Sequence, residues 1–369
     1  MSANPITVLV VDDSAFMRRA IQKMLEKEPE IRVVGAAASG EEGIAMTQRL
    51  QPDVVTMDVE MPGMGGLEAA RAIVARRGPP IIMVSALTHD GAATTLRALE
   101  AGAVDFIPKP DSALIDIVNV QRELVEKVKH FGARSAYLRA LRETQRIARE
   151  ALDAAAARRA AAPPPRPRGR PAGAAFTCVA IGTSTGGPVA LSQILPRLPA
   201  AFPIPIVIVQ HMPPGFTRPL AERLDANSRI RVVEGADEMA LRPGLAIVAP
   251  AGKELRVRRG PAGARVALGD DPRTSLHVPS VDVMAASVAD AFGPGALGVI
   301  LTGMGQDGVA GLRAIKDRGG YVLGQDEASS VVYGMPRAAA AAGLVDRVLP
   351  LNGVARALCE LTGAAYAPA

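Results

Sequence analysis

The chain has 369 residues, 49% hydrophobic and 21% charged, enough for two domains with cores of their own. No apolar run reaches the ~18 residues of a membrane-spanning helix, the N-terminus MSANPITVLVVDDS lacks the basic region of a secretory signal, and Cys178 and Cys359 make no disulfide framework, so a cytoplasmic protein without membrane insertion is expected. The net charge of +5 is concentrated: residues 131–175 carry ten Arg and three acids, 10 − 3 = +7, leaving 5 − 7 = −2 elsewhere, and with aromatics at 3% this argues against a nucleic-acid partner.

From the N-terminus, short apolar strands alternate with helical patterns. ITVLVV (6–11) precedes a helix near 15–27, IRVVGAA (31–37) one near 41–50, and DVVTM (53–57) one near 66–76. PIIMVSA (80–86) precedes one near 91–101, and VDFI (104–107) one near 112–130. Five such units imply a parallel sheet covered on both faces. The last helix can extend over 131–160 until PPPRPRGRP (163–171) breaks it, so residues 131–175 are expected to form an Arg/Ala/Pro-rich linker between domains at 1–130 and 176–369. Beyond it the alternation resumes, with FTCVAI, PIVIVQ, LAIVAP, ALGVILTG and GYVLGQ as the clearest strands and a hairpin at LRVRR–GPAG–ARVAL.

Asp12, Asp13, Asp58, Ser85 and Lys109 all fall at the carboxyl ends of first-domain strands, where open α/β sheets place their sites. With strand order 2-1-3-4-5 the three carboxylates converge. Such a cluster suits a hard cation such as Mg²⁺, with Lys109 and the Ser85 hydroxyl left for phosphoryl oxygens. Taken singly, Asp12–Asp13 would read as a helix cap and Lys109 as a surface lysine. VVDDS (10–14), TMDVEMPGMGG (56–66), MVSALT (83–88) and FIPKP (106–110) resemble the receiver domain of two-component response regulators, a flavodoxin-like fold, over residues 5–128. The resemblance implies that Asp58 accepts a phosphoryl group from a histidine kinase, that Asp12, Asp13, Asp58 and the Glu60 carbonyl hold Mg²⁺, and that Ser85 and Phe106 move with phosphorylation.

AIGTSTGGP (180–188) lies between an apolar strand and a helical pattern. A dinucleotide loop is disfavoured, because Ser184 takes the middle glycine position and the next strand ends in Gln210 and His211 rather than an acid. Gly182-Thr183-Ser184-Thr185-Gly186 does satisfy G-x-S-x-G on a strand-to-helix turn, although hydroxyls that merely cap a helix would look the same. A serine nucleophile needs a base and an orienter. Of the four histidines, His211 follows a buried-looking strand as Ser184 does, whereas His277 in LHVPS reads as an ordinary exposed residue. LGVILTGMGQDG (297–308) supplies Asp307 after a third strand. The order Ser…His…Asp differs from the Ser…Asp…His of α/β-hydrolases.

IGTSTGGP (181–188), VQHMPPGFT (209–217), PSVDVM (279–284), LTGMGQDG (301–308) and YGMPRAA (333–339) resemble the catalytic domain of the chemotaxis protein-glutamate methylesterases, which are also protein-glutamine deamidases. The resemblance implies a doubly wound α/β esterase domain regulated by phosphorylation. It makes Ser184 the nucleophile, His211 the general base, Asp307 its orienter, the Met304 N–H an oxyanion donor and Thr185 a polarising neighbour. The substrates would be methyl-accepting chemotaxis receptors, and hydrolysis would need no cofactor. This chain has Thr183 where the family often has Ala and Val278 where it often has Arg. Two rivals are a DNA-binding response regulator, for which the second domain lacks a helix-turn-helix and a basic face, and a non-catalytic adaptor, against which the complete Ser–His–Asp set speaks.

Overall fold

The computed structural model describes residues 4–86, 89–109, 117, 118, 120–133, 135, 175–270 and 277–366. The chain divides into two compact units, Met1–Pro165 and Arg166–Ala369. The linker expected over 131–175 lies almost wholly outside the described residues; at its near end the helix of the first unit continues to 133.

The first unit is a five-stranded parallel sheet in the order β2-β1-β3-β4-β5, as the alternation of strands and helices predicts. Its strands are β1 (Ile6–Val11), β2 (Ile31–Ala37), β3 (Val54–Asp58), β4 (Ile81–Ser85) and β5 (Asp105–Pro108). The helices are α1 (Ala15–Leu25), α2 (Gly40–Leu50), α3 (Gly66–Ala75), α4 (His89–Glu100) and α5 (120–133). Every residue of β3 and β4 is buried, which is why they read as unbroken apolar runs rather than alternating ones. Ser14, rather than Asp12 or Asp13, caps α1 by accepting from the Met17 N–H, which leaves the two acids after β1 free of that task.

The second unit is a seven-stranded parallel sheet in the order β14-β13-β12-β6-β7-β9-β8. Its central strands β6 (Cys178–Thr183), β7 (Ile206–Gln210), β12 (Ala296–Ile300) and β13 (Tyr321–Gln325) are buried throughout. The edges are β9 (Leu245–Val248) followed by β8 (Arg231–Glu234) on one side and β14 (Arg347–Leu349) on the other. α6 (Gly187–Ile194), α7 (Thr217–Asn227) and α11 (Leu351–Thr362) pack together, as do α8 (Val281–Phe292), α9 (Val309–Asp317) and α10 (Met335–Ala341), giving the doubly wound arrangement. The expected hairpin forms as β10 (Glu254–Gly260) and β11 (Gly263–Gly269). Leu255, Val257 and Val266 of the hairpin join Met284 and Val288 of α8 in one buried cluster.

The chain winds from β6 towards β7 on one side and later from β12 towards β13 on the other, so strand order reverses between β6 and β12. In open α/β sheets that reversal opens a crevice at the carboxyl ends of the strands. Ser184 and the loop holding Asp307 lie on its two sides.

Candidate active site and receiver pocket

In the first unit, Asp12, Asp13 and Asp58 each place a carboxylate oxygen within 4.8 Å of the others. Asp12 and Asp58 are buried, whereas Asp13 is exposed. Lys109 Nζ donates to Asp58 Oδ2 at 2.7 Å and lies 3.4 Å from Asp12 Oδ2. Burial pushes the Asp58 carboxyl up to about 6, against the downward pull of Lys109. Burial likewise raises Asp12, with Lys109 only partly offsetting it. The Glu60 N–H reaches Asp58 Oδ1 at 3.3 Å, which sets Glu60 beside the pocket. Gly66 has to be glycine: a Cβ there would drive into the Asp58 carbonyl.

Ser85, fully buried at the end of β4, donates its hydroxyl to the Ala86 carbonyl at 3.2 Å, and its own carbonyl accepts from the Lys109 N–H at 2.7 Å. Phe106 is buried in β5. Lys127 of α5, which the sequence did not mark, donates to the Phe106 carbonyl at 2.6 Å and pairs with Asp105 at 3.1 Å. Burial would lower this lysine, but Asp105 and Glu123 overcome that and push it up to about 12.

In the second unit, β6 and β7 pair in register with Thr183 opposite Gln210. The next residues, Ser184 and His211, are therefore neighbours about one strand spacing, ~4.8 Å, apart. The ladder continues past them, with the His211 N–H donating to the Thr183 carbonyl at 3.1 Å. On the other side the Ser184 N–H donates to the Thr302 carbonyl at 3.1 Å, so the loop after β12 abuts the serine. Gly303 makes this possible: a Cβ there would lie 2.9 Å from Ser184 Cβ and collide with Met335 Sδ. Met304 is the next residue of the same loop. Thr185 is buried, and its carbonyl accepts from Thr302 Oγ1 at 2.9 Å.

His211 Nε2 lies 2.8 Å from Asp307 Oδ2, so the ring takes the tautomer that donates to the carboxylate from Nε2. Nδ1 is buried and has no hydrogen-bond partner among the described residues, which leaves its lone pair open on a ring adjacent to Ser184. Asp307 also accepts from the Val281 N–H at 2.7 Å, the Asp282 N–H at 3.0 Å and the Ser280 hydroxyl at 3.0 Å. These groups form the N-terminus of α8, so the helix dipole and three donors all favour the carboxylate. Burial alone would raise Asp307; the His211 ring and the two N–H groups outweigh it and hold the carboxyl far below the usual range. Asp282, in the first turn of α8, accepts from the Gly311 N–H in the first turn of α9 at 2.7 Å, which ties the starts of the two helices together.

The structure thus brings together Ser184, Thr185, His211, Met304 and Asp307 in one place, and Asp12, Asp13, Asp58, Glu60, Ser85 and Lys109 in another. Sequence reasoning missed several supports. Gln210, 2% exposed, donates its amide to the carbonyls of both Ser184 and His211, at 2.9 and 2.8 Å. Ser280 caps α8 and binds Asp307, so the stretch PSVDVM holds the acid in place. His277 is exposed, as expected, but its ring stacks on His211, with centroids 4.3 Å apart and planes 19° apart.

A family model described as CheB methylesterase matches residues 179–358, and one described as response regulator receiver domain matches residues 8–119. A protein-glutamate methylesterase/protein-glutamine glutaminase of Desulfitobacterium hafniense is 44% identical, the match covering 97% of this chain and 97% of the relative. A relative of the same description from Archaeoglobus fulgidus is 43% identical over 94% of this chain and 95% of its own length. The crystal structure of the Thermotoga maritima CheB methylesterase catalytic domain superposes with a TM-score of 0.50 at 40% identity, covering 51% of this chain and 99% of that one.

Proposed function

The chain belongs to the CheB methylesterase family, joined to a response regulator receiver, and from that premise we propose that it is a phosphorylation-activated hydrolase that removes methyl groups from glutamate γ-methyl esters on chemoreceptors and deamidates receptor glutamines. The observation that carries the reading is the convergence of Ser184, His211 and Asp307 from the ends of β6, β7 and β12 at the point where strand order reverses, with His211 already on Asp307 at 2.8 Å.

Ser184 Oγ attacks the ester carbonyl while His211 Nδ1 takes its proton. The developing imidazolium is stabilised by Asp307, whose own charge is secured by the α8 N-terminus. The Met304 N–H, on the loop pressed against Ser184, serves the oxyanion, and Thr185 polarises the site beside it. His211 returns the proton to the leaving methoxide, and methanol departs. Water then attacks the acyl-enzyme with the same base, freeing the glutamate. A glutamine side chain follows the same course with ammonia as leaving group.

In the receiver, Asp58 is the phosphoryl acceptor and a chemotaxis histidine kinase the donor. The residues fit a divalent cation: three carboxylates converge, and Asp12 Oδ2 is buried with no hydrogen-bond partner among the described residues, Lys109 standing off at 3.4 Å. Asp12, Asp13, Asp58 and the Glu60 carbonyl would hold Mg²⁺, which when bound offsets the charge on the transferring phosphoryl group. Lys109 meets a phosphoryl oxygen directly. Ser85 and Phe106 relay the change, Phe106 through a β5 carbonyl already gripped by Lys127. Among the described residues no helix is long and apolar enough to cross a membrane.

Methanol release from methylated receptor membranes, with wild type and Ser184→Ala side by side, tests the reading. Wild type should release methanol and the variant should not. Equal release, or none from either, would overturn it.

A further inference from the structure

We propose that His277 is a positioning residue for His211, its ring serving as the platform that fixes the plane of the imidazole. The inference rests on the triad reading above. The hydrogen bond from Nε2 to Asp307 fixes one point of the ring but not its plane, and Nδ1, the nitrogen that must receive the serine proton, has no partner of its own among the described residues. The face of the ring is where the remaining constraint lies: His277 stacks on it with centroids 4.3 Å and planes 19° apart. Near-parallel stacking of flat rings at this separation is an attractive contact that resists rotation of either partner. His277 itself is exposed, whereas the His211 side chain beneath it in the stack is 9% exposed.

The platform is anchored by the segment that positions the acid. The Val278 carbonyl accepts from the Gly252 N–H at 3.1 Å. The Ser280 N–H donates to the buried Glu254 carboxylate at 3.0 Å, and the Ser280 hydroxyl donates to Asp307 at 3.0 Å. Residues 277–282 therefore constrain the base twice, through its edge by way of Asp307 and through its face by way of His277. The stack on the face fixes the plane of the ring and the hydrogen bond at its edge fixes rotation within that plane; neither alone fixes both. A misaligned base is costly because proton transfer requires the lone pair to lie along the line to the serine oxygen.

The test uses the full-length protein and a short peptide carrying a glutamate γ-methyl ester, with methanol release read at a temperature below every variant's melting transition. His277→Ala should lower kcat by about three- to tenfold, the range to which a stacked aromatic contact of ordinary strength translates, with KM changed less than twofold and the melting transition in place. His277→Phe, which restores a flat face without ring nitrogens, should bring kcat back to within about twofold of wild type. Wild-type kcat in His277→Ala would overturn the proposal, and so would a His277→Phe variant as slow as the alanine, because the contribution would then come from the imidazole nitrogens. Ser184→Ala run alongside separates the two claims. If it still turns over, the triad itself is wrong; if it is silent while His277→Ala matches wild type, only the platform falls.

Discussion

Replacing Gln210 by Leu removes a side chain that ties the nucleophile loop to the base loop. Its amide nitrogen donates to the Ser184 carbonyl at 2.9 Å and to the His211 carbonyl at 2.8 Å from a position 2% exposed. The Ser184 carbonyl keeps the Gly187 N–H at 2.8 Å, so it is weakened rather than stranded. The His211 carbonyl loses this donor outright. One net hydrogen bond is worth ~1 kcal/mol and a stranded part-buried carbonyl costs ~1–2 kcal/mol, while removing Gln210 Oε1, buried without a hydrogen-bond partner among the described residues, gives back ~1 kcal/mol, leaving about 1–2 kcal/mol. Leu has nearly the volume of Gln, so little cavity cost is added. In a domain of this size each kcal/mol shifts the midpoint by about 2–4 °C, so the esterase transition should fall by roughly 2–8 °C. The kinetic effect should be separate: with the two loops free to drift, kcat on a methyl-ester peptide should drop at least about tenfold, since small misplacements of reacting groups are expensive. Gln210→Glu should do as badly, because it turns a donor towards two carbonyls into an acceptor. Calorimetry and steady-state methanol release check both parts. A Gln210→Leu protein that melts within a degree of wild type and turns over within twofold would refute the idea that this amide holds the site.

Three further outcomes follow from the geometry. Asp307→Asn keeps the shape but substitutes a neutral amide for the carboxylate beneath the imidazolium; by the serine-protease example the rate should fall up to about 10⁴-fold, and a variant within tenfold of wild type would remove Asp307 from the site. Gly303→Ala should displace the serine, its Cβ falling 2.9 Å from Ser184 Cβ and against Met335 Sδ; loss of activity in a folded protein is expected, and full activity would show that the loop can retreat. Asp58→Asn should take no acid-labile phosphate from acetyl phosphate, EDTA should block labelling of the wild type, and acetyl phosphate should raise the methanol-release rate of wild type but not of the variant; phosphate on the variant, or equal stimulation of both, would contradict the receiver assignment.

How much was legible depended on where each residue's partners lie along the chain. The central strands were plain because both of their faces are buried, so FTCVAI, PIVIVQ and ALGVILTG carry no alternation to blur them. Ser184, His211 and Asp307 could be picked out because each directly follows such a strand, or the loop after it, and parallel sheets gather those positions at one edge. The short edge strands β8 and β14, four and three residues long, are too brief to give a pattern. The role of Ser280 was not legible because its partner Asp307 is 27 residues away and on a different element. Gln210 read as the polar end of a strand; nothing local shows that its amide spans two loops. His277 is as exposed as its surroundings in LHVPS suggest, and its contact with His211 exists only in three dimensions. Lys127 is one of several charges along a helix until β5 is seen beneath it.

The most direct test of the central claim is to map, by peptide mass spectrometry, the residue modified when the protein is inactivated by a fluorophosphonate, a reagent that reports an activated serine. One adduct per chain is expected, on Ser184, forming in step with the loss of methyl-ester hydrolysis and suppressed in Asp307→Asn. An adduct on another residue, or full hydrolysis by protein already modified at Ser184, would contradict it.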